Sequence, residues 1–416
     1  MNKYLNFLTH LPVFLQVDAP KSCNCLAWLF AVVAVSTISG FLFFSTSMFY
    51  FATCILCLLY ILKRGRIQWN GKFIFLYVTF GFSVLMASAP LFNSQMRFGL
   101  FVMVTLVCSP CIQSDIAVKF RTLACRNLLI LFGIMSIASF FCYFLGINFM
   151  PLHTGRTDLV GVVNGQAGSF SGLFIHSMLM GPLAALTSLL FFHAYLYNKK
   201  RIYIILFLIG ALATFLSASR GAVMSLVIPI VYSLLFSNKA RGKVTWLLIV
   251  SAILAIPVAD RVTTGLIEKQ QGNLNAGSTF SSRQSKWDNR WDEFNSSPLL
   301  GIGFGTVDLK YTEDYNDNGG IEPGSSHLSV LSMTGLLGFI PYLLIILSAY
   351  NLIRRNKRDV VAGFRLSMLL SCMLYAVAEG HALFAGGFLF LVFWISIAQC
   401  FDYVYLLKRK QIILYD

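Results

Sequence analysis

Long apolar runs separated by short polar stretches repeat along the whole chain. Cys25 to Phe44 and Val244 to Ala259 carry no charge at all, and a helix needs about 20 apolar residues to cross a bilayer. The pattern predicts about twelve spans, near residues 25–43, 46–62, 73–89, 98–113, 127–147, 174–196, 202–217, 221–237, 244–259, 328–352, 366–378 and 384–401. The predicted class is therefore an all-α polytopic membrane protein. Most connections are short. Two on one side are longer, Gly146 to Gly172 and Asp260 to Ser326, and the second, of 67 residues, is the only large polar piece. It divides the chain into a membrane part over residues 1–259, an extramembrane loop over 260–327 and a second membrane part over 328–416. Within the loop, Ser285 to Asn295 is predicted as a short amphipathic helix with Trp287, Trp291 and Phe294 on one face, stopped by Pro298.

The charges give the spans an orientation. Lys63, Arg64, Arg66 and Lys72 fall in one connection. Lys119, Arg121 and Arg126, then Lys199 to Arg201, then Lys239 to Lys243, then Arg354 to Arg365, and finally Lys408 to Lys410 fall in alternate later ones. With Lys3 and Lys21, 23 of the 32 Lys and Arg lie on one side, while the other side holds 12 of the 17 acids. This positive-inside bias places both termini in the cytoplasm and the large loop outside.

Only 12% of residues are charged, against about 25% in soluble domains. That deficit excludes an ordinary soluble enzyme and a disordered chain. The net charge of +15 reports topology and not a nucleic-acid partner, since the basic residues form no continuous stripe. None of the ten cysteines lies in the large loop, where a disulfide framework would put them; the CxxC pairs Cys54/Cys57 and Cys108/Cys111 read as small apolar filler. The first 24 residues show no cleavable signal pattern.

The candidate chemistry sits on the outer side. Ser217-Ala218-Ser219-Arg220-Gly221 joins two spans, with Ser219 a predicted N-cap and Arg220 beside the positive end of a helix. Arg156, Arg283 and Arg290 lie outside, against the prevailing bias, and arginine is the side chain for bidentate phosphate binding. His327 stands where the large loop re-enters the bilayer, after Ser325 and Ser326, at a height suited to a general base. His176, Glu379 and His381 are further ionisable groups near that level. Asp314 to Gly319 resembles half a calcium loop, but Ser325 stands where the bidentate Glu is required. No HExxH, Walker or GxSxG pattern occurs.

Taken together, these residues resemble the O-antigen ligase/polymerase superfamily. Arg283, Trp287, Phe294 and Pro298, followed by Gly301, Gly303 and Gly305, reproduce the spacing of that superfamily's signature block. Ser217-Ala218-Ser219-Arg220-Gly221 resembles its Ser-x-Ser-Arg-Gly hairpin, and His327 before Gly335-Leu336-Leu337-Gly338 resembles its segment carrying the catalytic His. Ligases usually place a His-Asn pair about eleven residues before the first glycine of that segment. Here His327 is eight before it and Leu328 follows, which tilts the comparison towards a polymerase.

The resemblance implies a metal-independent, cofactor-free, inverting glycosyltransferase on the periplasmic face of a Gram-negative inner membrane. The donor would be a glycan on undecaprenyl diphosphate. The acceptor would be another lipid-linked repeat for a polymerase, or lipid A core for a ligase. A chain-length regulator and a flippase would be its partners beside the bilayer. Arg220 and Arg283 would bind the diphosphate and His327 would act as base or orient the acceptor. Arg156, Arg290, His176 and Glu379 would contact glycan or phosphate. Two other classes fit less well. A lipid-linked glycan transporter predicts broken helices or charges at mid-membrane and inverted repeats, and a purely structural membrane protein gives no reason for arginines beside the outer re-entry point.

Overall fold

A computed structural model describes residues 11–42, 47–64, 67–87, 94–149, 170–236, 283–308, 310, 324–356 and 359–409. The ninth expected span, residues 244–259, together with Arg156 and Asp314 to Gly319, lies outside the described residues. Twelve helices are described. They are α1 (Lys21–Ser36), α2 (Ser47–Arg64), α3 (Gly71–Met86), α4 (Ser94–Cys108), α5 (Asp115–Phe144), α6 (Ser177–Asn198), α7 (Arg201–Leu216), α8 (Arg220–Phe236), α9 (Gln284–Ser296), α10 (Ser326–Arg354), α11 (Val360–Ala378) and α12 (Phe388–Lys408). By length and composition α2, α5, α6, α10, α11 and α12 can cross a membrane, and α1, α3, α4, α7 and α8 are shorter apolar helices. The one sheet among the described residues is a two-residue antiparallel ladder between β1 (Gln68–Trp69) and β2 (Ile112–Gln113).

Helix ends follow local chemistry. Asn70, Ser114 and Asp359 cap α3, α5 and α11 through their side chains, each satisfying amides that the first turn leaves open. Ser114 starts α5 well before the expected boundary at residue 127, so Arg121 and Arg126 stand within a helix and not in a loop. Likewise Arg365 falls in the second turn of α11. Charge counting assigned these three to connections and missed that their neighbours are helical: a charged residue lowers a hydropathy window whether or not a partner neutralises it.

That partner is visible for Arg121, which is fully buried. Its Nε and Nη2 donate to the two carboxylate oxygens of Asp402 on α12 at 2.8 and 2.7 Å, and its Nη1 donates to the Ile112 carbonyl at 2.9 Å. Neutral polar pairs join other helices. His193 on α6 meets Ser367 on α11 at 2.9 Å, and Ser367 meets Ser233 on α8 at 2.9 Å. Such bonds replace the hydrophobic driving force that lipid cannot supply between helices.

The feature that decides the architecture is a break in α10. Gly335 adopts φ 60°, ψ −168°, inside an otherwise continuous helix. A break frees backbone groups that hydrocarbon cannot satisfy. Here the segment after α9 satisfies them. Leu336 and Leu337 donate to the carbonyls of Pro298 and Leu299 at 2.9 and 3.1 Å, while Ile302 and Gly303 donate to those of Ser332 and Met333 at 3.0 Å each. Contact is so close that a Cβ on Gly335 would lie 2.4 Å from the Leu299 carbonyl carbon, and one on Gly301 2.4 Å from that of Met333. The large loop is thus stitched into the bundle backbone to backbone, and Phe304 plugs the joint, ringed by Phe80, Phe98 and Phe101.

Two outcomes are expected. Gly335→Ala combines a left-handed φ with a backbone clash. It should destabilise the protein by at least about 1–3 kcal/mol, read as a lower melting temperature in detergent, whereas Gly99→Ala, in open space on α4, should not. Arg121→Met should cost about 3–5 kcal/mol by leaving Asp402 buried without its partner, and Arg121→Met with Asp402→Leu should recover most of that loss in the same assay.

Candidate functional site

Ser325 and Ser326 begin α10 where the large loop returns. The Ser325 hydroxyl caps the helix by accepting from the Leu328 amide at 3.5 Å. Ser326 does more. Its amide and its hydroxyl both donate to the Glu379 carbonyl, at 3.0 and 2.6 Å, and the hydroxyl accepts from the amides of His381 and Ala382 at 2.8 and 3.1 Å. This knot joins the start of α10 to the end of α11 and brings His327, Glu379 and His381 into one neighbourhood.

Arg283, just before α9, adds the positive charge. Its Nη2 donates to Glu379 Oε1, and both side chains are largely buried. The first turn of α9 is held in place by Trp287, whose indole N–H donates to the Gly324 carbonyl at 3.2 Å. Tyr375, one turn before Glu379, extends the cluster to the opposite wall. Its hydroxyl donates to the Met178 carbonyl at 2.7 Å and reaches the Ser219 hydroxyl. Ser219 caps α8 by accepting from the Ala222 amide at 3.4 Å, as its position predicts. Ala218 before it adopts φ 50°, a left-handed turn that a side chain rarely takes. Gly221 lies against Tyr375 and Ala378, so the backbone next to Arg220 touches the end of α11. His176 caps α6, its Nδ1 accepting from the Met178 amide at 3.0 Å.

Of the seven residues singled out from the sequence, Arg283 meets Glu379, His327 follows Ser326 at the start of α10, and His176 and the backbone beside Arg220 border the Met178–Tyr375–Ser219 contacts. Arg156 lies outside the described residues. Arg290 lies elsewhere: it is buried and its Nη2 meets Glu293 Oε1 at 2.8 Å, while that oxygen also accepts from the Asp308 amide at 3.0 Å. Burial raises the Glu293 carboxyl above its ordinary range and lowers the Arg290 guanidinium. This pair fastens α9 to the segment that docks on α10. It also corrects the expected face of α9: Arg290 and Glu293 point inward and Trp291 is exposed, because the polar pair finds a partner amide on the loop that an indole could not use.

His327 faces the bundle interior. Its Nε2 donates to the Met373 carbonyl at 3.2 Å, and in the neutral ring its Nδ1 then accepts from the Tyr342 hydroxyl at 2.9 Å. His381 stacks on Tyr375 with centroids 5.8 Å apart, and its buried Nδ1 has no hydrogen-bond partner. Burial, with a smaller contribution from His327, pushes its imidazole down to about 3, so it is neutral at any working pH.

The sequence reading passed over Ser326 as more than a cap, and it passed over Tyr375, Tyr342 and Arg97. Arg97 lies over the Phe384 ring at 5.6 Å and beside Gly305; its expected place on the side that the charge bias disfavours was the available signal. Serine and tyrosine carry no comparable signal in an apolar run. The glycine triplet serves the loop's docking. Gly301, Gly303 and Gly305 all have positive φ, and the amides of Ile302 and Gly303 are taken by α10 carbonyls, so they form no phosphate cradle.

Residues 204–346 match the family model described as O-antigen ligase. That stretch, about a third of the chain, runs from α7 to the second half of α10. It includes the Ser219-Arg220 hairpin, Arg283, the glycine triplet, His327 and the Gly335 break, and it ends before Tyr375 and Glu379. No curated protein matches the chain. The chain is thus a multi-pass membrane protein that carries an O-antigen ligase domain over residues 204–346, in support of the O-antigen ligase/polymerase superfamily that its sequence resembles.

Proposed function

We propose that the protein is a membrane glycosyltransferase that extends lipid-linked glycans on the periplasmic face of the inner membrane. The donor is a repeat on undecaprenyl diphosphate and the acceptor a hydroxyl of a second lipid-linked repeat. Transfer of a finished glycan to lipid A core, as in a ligase, is the alternative within the same chemistry. The observation that carries this reading is the convergence of Arg283, the Ser219-Arg220 helix start and His327 on the two ends joined by Ser326.

The physical logic is charge. As the glycosidic bond breaks, negative charge grows on the leaving diphosphate, and guanidinium groups pre-placed in a site of low dielectric stabilise it most strongly. Arg283 and Arg220 take this role, with the positive end of α8 beside Arg220. Glu379 neutralises Arg283 in the substrate-free state and keeps its fork in position. His327 has both ring nitrogens held by Met373 and Tyr342 in the substrate-free state, and it orients the acceptor by exchanging the Tyr342 hydroxyl for one on the acceptor. No nucleotide is required, because the lipid diphosphate is itself the leaving group.

A transporter would use a broken helix to line a substrate cavity. The break at Gly335 is instead filled by loop backbone, which favours the enzymatic reading.

Arg220→Ala and Arg283→Ala should each reduce transfer by about 10²–10³-fold, the cost of removing one preorganised charge-stabilising group. Arg283→Lys should recover little, since a single ammonium cannot reproduce the bidentate fork. Surface-glycan ladders on gels check this in cells. Full-length ladders from both alanine variants at normal protein level would refute the assignment. Purified protein given lipid-linked repeats alone separates the two reactions: longer lipid-linked chains identify a polymerase, and product formed only after lipid A core is added identifies a ligase. For His327, Tyr342→Phe should leave the protein folded but lower kcat through a loosened ring, and His327→Ala should lower it further.

A further inference from the structure

Glycosyl transfer to a hydroxyl releases a proton, and an inverting displacement needs a base within hydrogen-bond reach of it. The imidazoles near Ser326 are poorly suited to that task. His327 can hold a hydroxyl at Nδ1, but its Nε2 already donates to the Met373 carbonyl. A second proton on that ring would create a cation facing the bundle interior, which is costly. His381 is 8% exposed and its Nδ1 is closed off. His176 spends its Nδ1 on the cap of α6.

Glu379 differs from all three. Its main chain is clamped at the end of α11: the amide donates to the Tyr375 carbonyl at 3.1 Å, and the carbonyl accepts twice from Ser326. The side chain moves about that fixed point. It is 18% exposed, and its Oε1 accepts from Arg283 Nη2. Tyr375 lies within electrostatic reach of both Glu379 and Arg283, and its hydroxyl reaches Ser219 beside Arg220. The carboxylate therefore stands at the very guanidinium assigned to the diphosphate. A diphosphate carries more charge than a carboxylate and is the stronger partner for that fork. A carboxylate that loses its guanidinium and gains an anion beside it takes up a proton more readily.

Under the glycosyl-transfer reading, on which this inference rests, we propose that Glu379 is the catalytic base, masked by Arg283 in the empty site and released when a diphosphate takes Arg283. Its carboxylate removes the proton from an acceptor hydroxyl next to the one that His327 holds. The acceptor oxygen forms a bond to the anomeric carbon, and the bond from that carbon to the diphosphate oxygen breaks. The electron pair of the broken bond leaves on the diphosphate, held by Arg283 and Arg220. The proton on Glu379 passes to water as the diphosphate departs and Arg283 returns. One exchange of partners thus readies the leaving group and the nucleophile together.

Glu379→Gln, which keeps the side chain's size and leaves the Ser326 bonds in place, tests this in the purified full-length protein. Transfer from lipid-linked repeats to a sugar acceptor should fall by about 10²–10⁴-fold. Geranyl diphosphate should bind the variant at least as tightly as the unmodified protein, since the competitor for Arg283 is gone. Glu379→Ala supplied with azide, an anionic nucleophile that needs no base, should form the inverted glycosyl azide from the lipid-linked donor. If Glu379→Ala gives no folded protein, Glu379→Gln with azide carries that comparison. A Glu379 that only positions Arg283 predicts diphosphate binding lost in step with turnover and no glycosyl azide, and either result would overturn the proposal. Transfer by Glu379→Gln at the unmodified rate would also overturn it, while leaving the enzymatic reading intact. That reading fails separately, and this proposal with it, if the unmodified protein transfers glycan neither to a lipid-linked repeat nor to lipid A core.

Discussion

Hydrocarbon offers no hydrogen bonds, so any backbone group left open at membrane depth must be satisfied by the protein itself. The break at Gly335 is where this constraint bears hardest. Four main-chain bonds between the Pro298 to Gly303 segment and the two sides of the break remove the penalty, and the docking of α9 depends on that joint. It fixes where the large loop leaves the bundle and how α9 lies on α10. Through α9 it fixes where Arg283 stands relative to Glu379. The glycines at 301 and 335 have no chemistry of their own; they let two backbones approach to a distance that any Cβ would forbid.

Polar groups inside the bundle obey the same rule in two different ways. At one end they are shared: one serine hydroxyl, that of Ser326, serves a carbonyl and two amides just past the end of α11. At the other end they are paired, as in the two-pronged contact of Arg121 with Asp402, or bound to carbonyls, as at Arg365. The first arrangement leaves arginines beside helix starts, one of them paired with Glu379, and under the proposed function it suits a polyanion. The second commits Asp402 to Arg121 and holds helices together.

The O-antigen ligase match covers the hairpin, the α9 block and the re-entry segment, yet the residues that join them lie partly beyond it, on α11. Tyr375 and Glu379 are the contacts through which α6, α8, α9 and α10 meet. A motif reading stops at the residues whose types are unusual in their surroundings, and a tyrosine in an apolar helix is not unusual.

Hydropathy alone determined that the chain is helical and that it belongs in a membrane, because each of these depends on transfer free energies summed over a segment. The same arithmetic picked out Arg220, Arg283 and His327, since charge on the unfavoured side stands out without any partner. The roles of Arg290 and Arg121 were not determined that way. An arginine facing a diphosphate and an arginine spent on Glu293 have the same local sequence signal, and only the arrival of a carboxylate from one turn away or from a distant helix separates them. The function of the glycine triplet was likewise a tertiary decision: positive φ can be guessed from the residue type, but the carbonyls that the amides of Ile302 and Gly303 bind are those of Ser332 and Met333, on a later helix.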